Sequence, residues 1–349
     1  MIQKRLVLSM PERGRVERVC QRVQSLKPDE VLVKTTLAAI KSGTEMTAFC
    51  GMGPFQSEQF DPDLRVFQPG SKFFPCPVGN MVIGVVVAVG AAVTLFRPGD
   101  QVFAWHGITD YVICRESRLH PLGRLTPEQA VCIDPLIFGL GAACDAEVSR
   151  YGKVSFVTGL GPIGLGAIQF LKERGATVYT ASAFALRRQL AREYGADEVL
   201  DSGTDKDPGL TVKRWTHVRT GQAGVDVAVE CSGRYRQLGQ AMRATRQCGC
   251  VVAAGFYTGE PGADLSREAF HNRLTINVSL PAMRWGNPTR DPELTSNDDL
   301  FKHVVASLES GTVSVRGMLQ PILPFDQAHE ALRLIDEHPE QVVKVGIQF

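Results

Sequence analysis

The residues with the plainest chemical meaning are Gly159, Gly161, Pro162, Ile163 and Gly164, in the turn Gly159-Leu160-Gly161-Pro162-Ile163-Gly164. Glycines at this spacing meet three needs of a dinucleotide site. Gly159 allows a tight turn, Gly161 lets the backbone approach a pyrophosphate, and Gly164 lets a helix pack close to the preceding strand. Free N–H groups at the helix start then face the phosphates. The motif by itself is weak, and its setting strengthens it. Val154-Ser155-Phe156-Val157-Thr158 reads as a buried strand leading in, and residues 162–174 read as a helix leading out.

The next strand, Thr177 to Ala181, bears on which nucleotide is held. An NAD site usually places Asp or Glu about 20 residues past the glycines, to accept bonds from the ribose hydroxyls. Here the strand ends Tyr179-Thr180-Ala181-Ser182-Ala183-Phe184, with no acid, and Arg187 and Arg188 follow. A hydroxyl at Ser182 and a cation at Arg187 suit a 2′-phosphate, so NADP is the expected cofactor. If both arginines are solvated helix residues, NAD stays open. Two further strand ends, Cys231-Ser232 and Gly255-Phe256, are placed to line the ribose and nicotinamide, because ligands sit outside the carboxyl ends of such strands.

Positioning these groups takes a regular alternation of elements, and the sequence supplies it from about residue 149. After the helix at 162–174 come a helix over Leu186–Tyr194, a strand at Glu198–Leu200, a strand at Val225–Glu230, a helix over Gln237–Thr245 and a strand at Gly249–Ala254. This pattern predicts an α/β domain with a doubly wound parallel sheet. Residues 1–148 instead look β-rich, with short apolar runs such as Glu30–Lys34 and Val82–Val89 between Gly and Pro turns. Beyond residue 286 the pattern changes again, to helices at Asp299–Ser310 and Phe325–Glu337 and a strand over Gln341–Gln348. The expected domains are therefore 1–148 with 286–349, and 149–285. The loop from Gly51 to Pro77 carries Phe55, Phe60, Phe67, Phe73 and Phe74. Such a loop either covers a site as a lid or is anchored to the surface by its rings. The exit segment Met283-Arg284-Trp285-Gly286-Asn287 is a further candidate for the cleft between domains.

Composition excludes several other classes. The chain has 349 residues, which suggests two domains, and a 44% hydrophobic fraction that can bury sizeable cores. With a net charge of +1 and no long basic run, nucleic acid is a poor partner. No apolar stretch reaches the roughly 18 residues that a membrane helix needs. The start, MIQKRLVLSMPERGR, is read as no signal peptide. Nine scattered cysteines form no CxxC pair, which fits a reducing cytoplasm. Cys248 and Cys250 flank one glycine on an apparent strand and read as small core residues on one face.

The order of domains, the glycine turn and Gly-Val-Asp-Val-Ala-Val-Glu-Cys-Ser-Gly at 224–233 resemble the medium-chain dehydrogenase/reductase superfamily, and most of all its polyol and threonine dehydrogenase branch. Further matches are Ser42-Gly43-Thr44-Glu45, Gly84-Val85-Val86-Val87-Ala88-Val89-Gly90 and Pro98-Gly99-Asp100-Gln101-Val102. The likeness covers nearly the whole chain. It implies a GroES-like β-rich catalytic domain plus a Rossmann domain, a nicotinamide cofactor, a small-molecule substrate and a homodimer paired through Leu274–Val278. It also exposes departures. Zinc-dependent members carry Cys at the position of Ser42 and a His-Glu pair at Asn80-Met81, while Asp134 keeps the acidic place of a third ligand region. Ser, Asn and Asp make a poor zinc set. The cysteine quartet that holds a structural zinc in many relatives is also missing. No zinc is therefore expected.

Without a metal, side chains must orient the substrate oxygen and carry its proton. Thr44 matches the family's proton-relay hydroxyl; the plainer reading is a hydroxyl capping the helix that follows. Glu45 beside it reads as a helix-start carboxylate. His106, after Phe103-Ala104-Trp105, titrates near neutral pH and suits a proton shuttle, or is an ordinary hydrogen-bonded histidine. Asp134 is a candidate base or acceptor for a substrate hydroxyl, or a turn residue before Pro135. Asn80 is a candidate donor to the substrate oxygen, or a turn amide. The leading expectation is a zinc-independent NAD(P)-dependent oxidoreductase. It would interconvert a secondary alcohol and a ketone on a sugar, a polyol or a bulkier hydroxylated intermediate. Reduction of a carbon–carbon double bond with NADPH, and a non-catalytic NADP-binding protein, are the alternatives.

Overall fold

A computed structural model describes residues 2–23, 25–70, 73–258, 262, 264–281 and 296–349. The segment Met283–Asn287, named above as a cleft candidate, lies outside the described residues. The chain divides into two compact units, Met1–Val131 with Leu319–Phe349, and Cys132–Met318.

The first unit is built mainly of antiparallel strands, with one parallel pair, Leu319–Pro324 beside Lys344–Gln348. Lys4–Glu12 pairs with Arg15–Arg22 and with Cys76–Pro77. A larger sheet centres on Glu30–Ala39, which pairs with Met81–Val89 and Tyr111–Arg115 and, at its other end, with Lys344–Gln348. The returning strand thus completes the core: Val345 and Ile347 are buried with Val31, Val33, Val82, Val86 and Val112. Alternating β-branched residues on these strands supply that shared apolar face.

The stretch Gly51–Pro77 is not wholly irregular. Glu58–Asp61 pairs with Val66–Pro69 as a short hairpin, with Phe60 opposite Phe67. The phenylalanines pack on one another: Phe55 lies 5.5 Å from Phe67 and 6.3 Å from Phe73, ring to ring. Phe73 and Phe74 pack against the core of the unit. That packing is what anchoring rings look like.

The second unit holds six strands in one parallel sheet: β1 (Val154–Thr158), β2 (Thr177–Ser182), β3 (Glu198–Asp201), β4 (Val225–Glu230), β5 (Thr245–Ala253) and β6 (Thr275–Val278). Their order across the sheet is β3-β2-β1-β4-β5-β6, and all neighbours run parallel. The direction of order reverses between β1 and β4, which is where a doubly wound sheet opens its ligand crevice. β4 is buried at every position, as expected of a strand covered on both faces. Helices Pro162–Glu173, Ala185–Glu193, Pro208–Thr220 and Tyr235–Ala244 make the crossovers. The helix over Pro208–Thr220 has no counterpart in the sequence reading, because its charged and polar residues break the apolar period.

The compact units and the domains expected from sequence differ at their edges. Helices Ile133–Asp145 and Asn297–Ser310 pack on each other and the first also packs on Pro162–Glu173. A Cβ on Gly139 would stand 2.8 Å from the Ala167 nitrogen, so the two helices meet almost backbone to backbone. Gln169 then holds the residues after the second helix: its Nε2 donates to the Ser314 carbonyl at 3.0 Å and its Oε1 accepts from the Ser314 N–H at 2.7 Å. Packing therefore assigns residues 132–148 and 296–318 to the parallel-sheet unit. Cys248 and Cys250 also part company. Cys248 has φ +55° and is exposed, while Cys250 is buried, so the backbone twists out of strand geometry between them.

Candidate active site

The glycine turn connects β1 to helix Pro162–Glu173. Gly159 has φ +83°, and a Cβ there would lie 2.4 Å from the Ser232 nitrogen. A Cβ on Gly164 would lie 2.3 Å from the Gly159 carbonyl oxygen, whereas one on Gly161 would meet nothing within 4 Å. Two glycines are thus demanded by the fold and the middle one by what comes from outside it. The helix has Gly161 as its N-cap with no side-chain cap, and Pro162 opens it. The N–H groups of its first turn, from Ile163 onward, are left available to an anion.

Ser182 ends β2, is buried, and its Oγ accepts from the Phe184 N–H at 3.2 Å. The two arginines that follow have separated roles. Arg188 donates to the carbonyls of Ser182 and Ala183, both at 2.9 Å, and pairs with Asp201 at 2.8 Å. It stiffens the strand end and neutralises the nearest carboxylate. Arg187 instead lies over the Phe184 ring at 4.7 Å. Burial, with the like charge of Arg234 adding to it, pushes its guanidinium down to about 10. It remains a cation at neutral pH.

The ends of β4 and β5 are joined through Glu230, which is fully buried. One of its oxygens accepts from the Ser232 N–H at 2.6 Å and from the Ser232 hydroxyl. The other accepts from the Gly233 N–H at 3.1 Å and the Tyr257 hydroxyl at 2.6 Å. Burial raises this carboxyl, and those donors hold it down. A Cβ on Gly255 would stand 2.1 Å from the Gly233 nitrogen, so the turns at Cys231-Ser232 and Gly255-Phe256 touch. Phe256 is half exposed. The Cys231 thiol is pushed well above its ordinary value by burial, with Glu230 adding to it, which makes it a packing group rather than a nucleophile. The sequence signal for Glu230 was a carboxylate closing the strand after the apolar run Val227-Ala228-Val229.

The remaining predicted residues fall in both units. In the first, helix Ser42–Phe49 has Lys41 at its N-cap and no side-chain cap. Thr44 lies within its first turn and is exposed, so it does not cap the helix. Glu45, by contrast, is only 8% exposed. Its Oε1 accepts from the Gly79 N–H at 2.7 Å, and burial raises the carboxyl to about 7 despite that bond and the charges of Lys344 and Lys41. The sequence reading treated it as a helix-start carboxylate interacting with the helix dipole and missed this burial. Asn80 follows Gly79, and its carbonyl accepts from the His106 N–H at 3.0 Å. The His106 Nδ1 lies 2.7 Å from the Gly107 carbonyl. A carbonyl only accepts, so Nδ1 carries the hydrogen and Nε2 keeps its lone pair. Burial lowers the His106 imidazole below its ordinary value, which favours that neutral form. The backbone thus brings Glu45, Asn80 and His106 together. Asp134 belongs to the second unit, buried in the first turn of helix Ile133–Asp145.

Comparison with known proteins agrees with this arrangement. The chain matches the family described as zinc-binding dehydrogenase over residues 162–287. It is 31% identical over 343 residues to D-guloside 3-dehydrogenase of Escherichia coli K12, covering 93% of this chain and 95% of that one. The chain belongs to the medium-chain dehydrogenase/reductase superfamily. Its fold is also that of 2R,3R-butanediol dehydrogenase from Bacillus subtilis, with a TM-score of 0.75, 21% identity and 99% of each chain covered. A zinc-binding dehydrogenase from Sinorhizobium meliloti 1021, bound to NADP, superposes with a TM-score of 0.72 at 21% identity over 100% of both chains. As a member of this superfamily the protein is an oxidoreductase. That sets aside a purely binding role.

Proposed function

We propose that this dehydrogenase prefers NADP and interconverts a secondary hydroxyl and a ketone on a sugar, in particular a glycoside, without zinc. The observation that carries the cofactor assignment is the end of β2, where Ser182 and the Arg187 cation stand and Asp201 is already paired with Arg188. A ribose 2′-phosphate is stabilised there, and no free carboxylate repels it. Gly161 and the first N–H groups of the helix after it would hold the pyrophosphate, and Ser232, Gly255 and Phe256 the nicotinamide end. The substrate class draws on the relative named for a guloside.

The donor set supports a zinc-free mechanism. Ser42 and Asn80 offer a hydroxyl and an amide, which bind zinc weakly. Among the described residues no group of three or more His, Cys, Asp or Glu is placed to hold a metal ion.

The nicotinamide, when bound, accepts or supplies the hydride. The protein's task is the proton and the oxygen. Asn80 donates its amide N–H to the substrate oxygen. His106 Nε2, left with its lone pair, takes the hydroxyl proton during oxidation and returns it during reduction. Thr44, exposed on the first helical turn, relays that proton. Asp134 accepts from a further substrate hydroxyl.

The edge strand β6 is the proposed seam of a homodimer. Val278 is 76% exposed and Leu280 is 51% exposed, and an apolar open edge invites pairing. The cysteines of the chain are free, in keeping with a cytoplasmic setting.

The deciding experiment incubates purified enzyme with NADP or NAD and a panel of methyl hexopyranosides, polyols and simple secondary alcohols. The expected result is reduction of NADP by glycosides, with a keto-glycoside found by mass spectrometry. Turnover confined to simple alcohols, or a preference for NAD, would overturn the reading.

A further inference from the structure

Among the described residues, the buried oxygens of the first unit with no hydrogen-bond partner are Thr35 Oγ1, on the strand Glu30–Ala39, and three at the candidate site: Ser42 Oγ, Glu45 Oε2 and Asn80 Oδ1. Their positions are related. Ser42 and Glu45 lie one turn apart on the same helix. The other Glu45 oxygen is fixed by the N–H of Gly79, the residue before Asn80. A buried acceptor without a donor is costly, and here two of the three atoms are pure acceptors if Glu45 is ionised. The single Ser42 hydroxyl supplies one donor and cannot satisfy both. A proton on Glu45 turns an unsatisfied acceptor into the missing donor.

The geometry points to Glu45 as a positioning residue that works as the neutral acid, donating its O–H to the Asn80 side-chain oxygen and so turning the amide N–H toward the substrate. Glu45 touches neither substrate nor cofactor in this role; it acts through Asn80. The charged and titratable groups that face it are Lys41 at the start of its own helix, Lys344 from the strand Lys344–Gln348, and Cys76. Lys344 is 2% exposed and donates to the Ile40 carbonyl at 3.0 Å, so the backbone shares its charge. Burial outweighs both lysines and keeps the carboxyl protonated into the neutral range. A zinc-dependent relative polarises the substrate oxygen with its metal. Here a carboxylic acid would aim a neutral amide instead. The inference rests on the proposed use of Asn80 as the donor to the substrate oxygen.

The test is nuclear magnetic resonance on the whole protein and needs no substrate. The Glu45 carboxyl carbon is assigned by its loss in Glu45→Gln, and the Asn80 side-chain amide by its loss in Asn80→Ser. Titration over about pH 5 to 9 brackets the ordinary and raised carboxyl ranges. The expected result is a Glu45 carboxyl that titrates near neutral pH, with the Asn80 amide signals moving at the same midpoint in the wild type and held still in Glu45→Gln. A Glu45 ionised throughout, or Asn80 signals indifferent to its titration, would overturn the inference. So would stoichiometric binding of Mg2+ or Zn2+ that shifts Glu45 and Asn80 together, because those oxygens would then be cation ligands. The coupled titration and the glycoside assay read different things. Intact coupling without glycoside turnover removes the substrate reading alone; absent coupling removes this inference whatever the turnover.

Discussion

The His106 N–H donates to the Asn80 carbonyl at 3.0 Å, so the two residues assigned to proton and oxygen are spaced by main chain and not by their side chains. Removing either side chain should therefore leave the other in place. His106→Ala is expected to lower kcat/KM by about 10²- to 10⁴-fold, the usual worth of a positioned acid or base, while Tm by differential scanning fluorimetry changes little. In the wild type the fall of kcat/KM on the acid side should lie below pH 6.5, because burial lowers the His106 imidazole below that value.

The glycines of the cofactor turn separate folding from binding. Gly161→Val introduces a side chain whose Cβ meets nothing in the chain, so Tm should hold while NADPH binding is lost. Gly159→Ala combines a strained φ of +83° with a contact of 2.4 Å to the Ser232 nitrogen, and it should lose stability by roughly 1–3 kcal/mol or more. Calorimetric titration with NADPH alongside thermal melts checks both. Equal losses of stability in the two variants would contradict the division.

Adjacent arginines should behave differently. Arg187→Ala is expected to weaken NADPH by about 10- to 100-fold, the range of a hydrogen bond to a charged group, and to leave NADH nearly unchanged. Arg188→Ala breaks the pair with Asp201 and two carbonyl contacts, so it should lower Tm and weaken both cofactors, NADPH more than NADH because the freed Asp201 carboxylate repels the 2′-phosphate. The two dissociation constants for each variant settle the matter.

Glu45 makes a stability prediction with a definite sign. Its folded value, about 7, lies above the ordinary 4.5, so the folded state binds this proton more tightly than the unfolded state. The contribution is full below 4.5 and is lost as pH rises to about 7, amounting to about 3 kcal/mol. Urea unfolding at several pH values should show that decline in the wild type and not in Glu45→Gln. A parallel pH dependence in the two proteins would refute it.

The proposed dimer seam is tested by Val278→Asp. Val278 is 76% exposed on β6, so the change costs the isolated chain little but places a charge in a paired edge. Light scattering should give twice the chain mass for the wild type and the single mass for the variant.

What could be read from sequence follows the range of the interactions. The glycine turn was legible because its spacing is local, with Gly164 answering to Gly159 five residues away, although the close approach of Gly159 to Ser232 was not. The parallel sheet was legible from the regular alternation of short strands and helices after residue 149. Glu45 was not, since its burial depends on Gly79, 34 residues away, and a Ser-Gly-Thr-Glu start looks the same on a solvated helix. The hairpin at Glu58–Asp61 was hidden because charged residues surround its one apolar pair, Phe60 and Phe67. The edges of the compact units were hidden for a like reason: contacts between residues far apart in the chain, such as Gln169 with Ser314 and Tyr194 with Arg316, show where residues 296–318 are held.

The carboxylate of Glu230 fastens the β4 turn to Tyr257 beyond β5, while the proposed adenosine contacts lie at the end of β2 and just past it. On that proposal, preference between the two nicotinamide coenzymes and the setting of the reactive ring are entrusted to separate strands. Changes at Ser182 or Arg187 could let a lineage, or an engineer, exchange one coenzyme for the other without disturbing the turns that hold the ring.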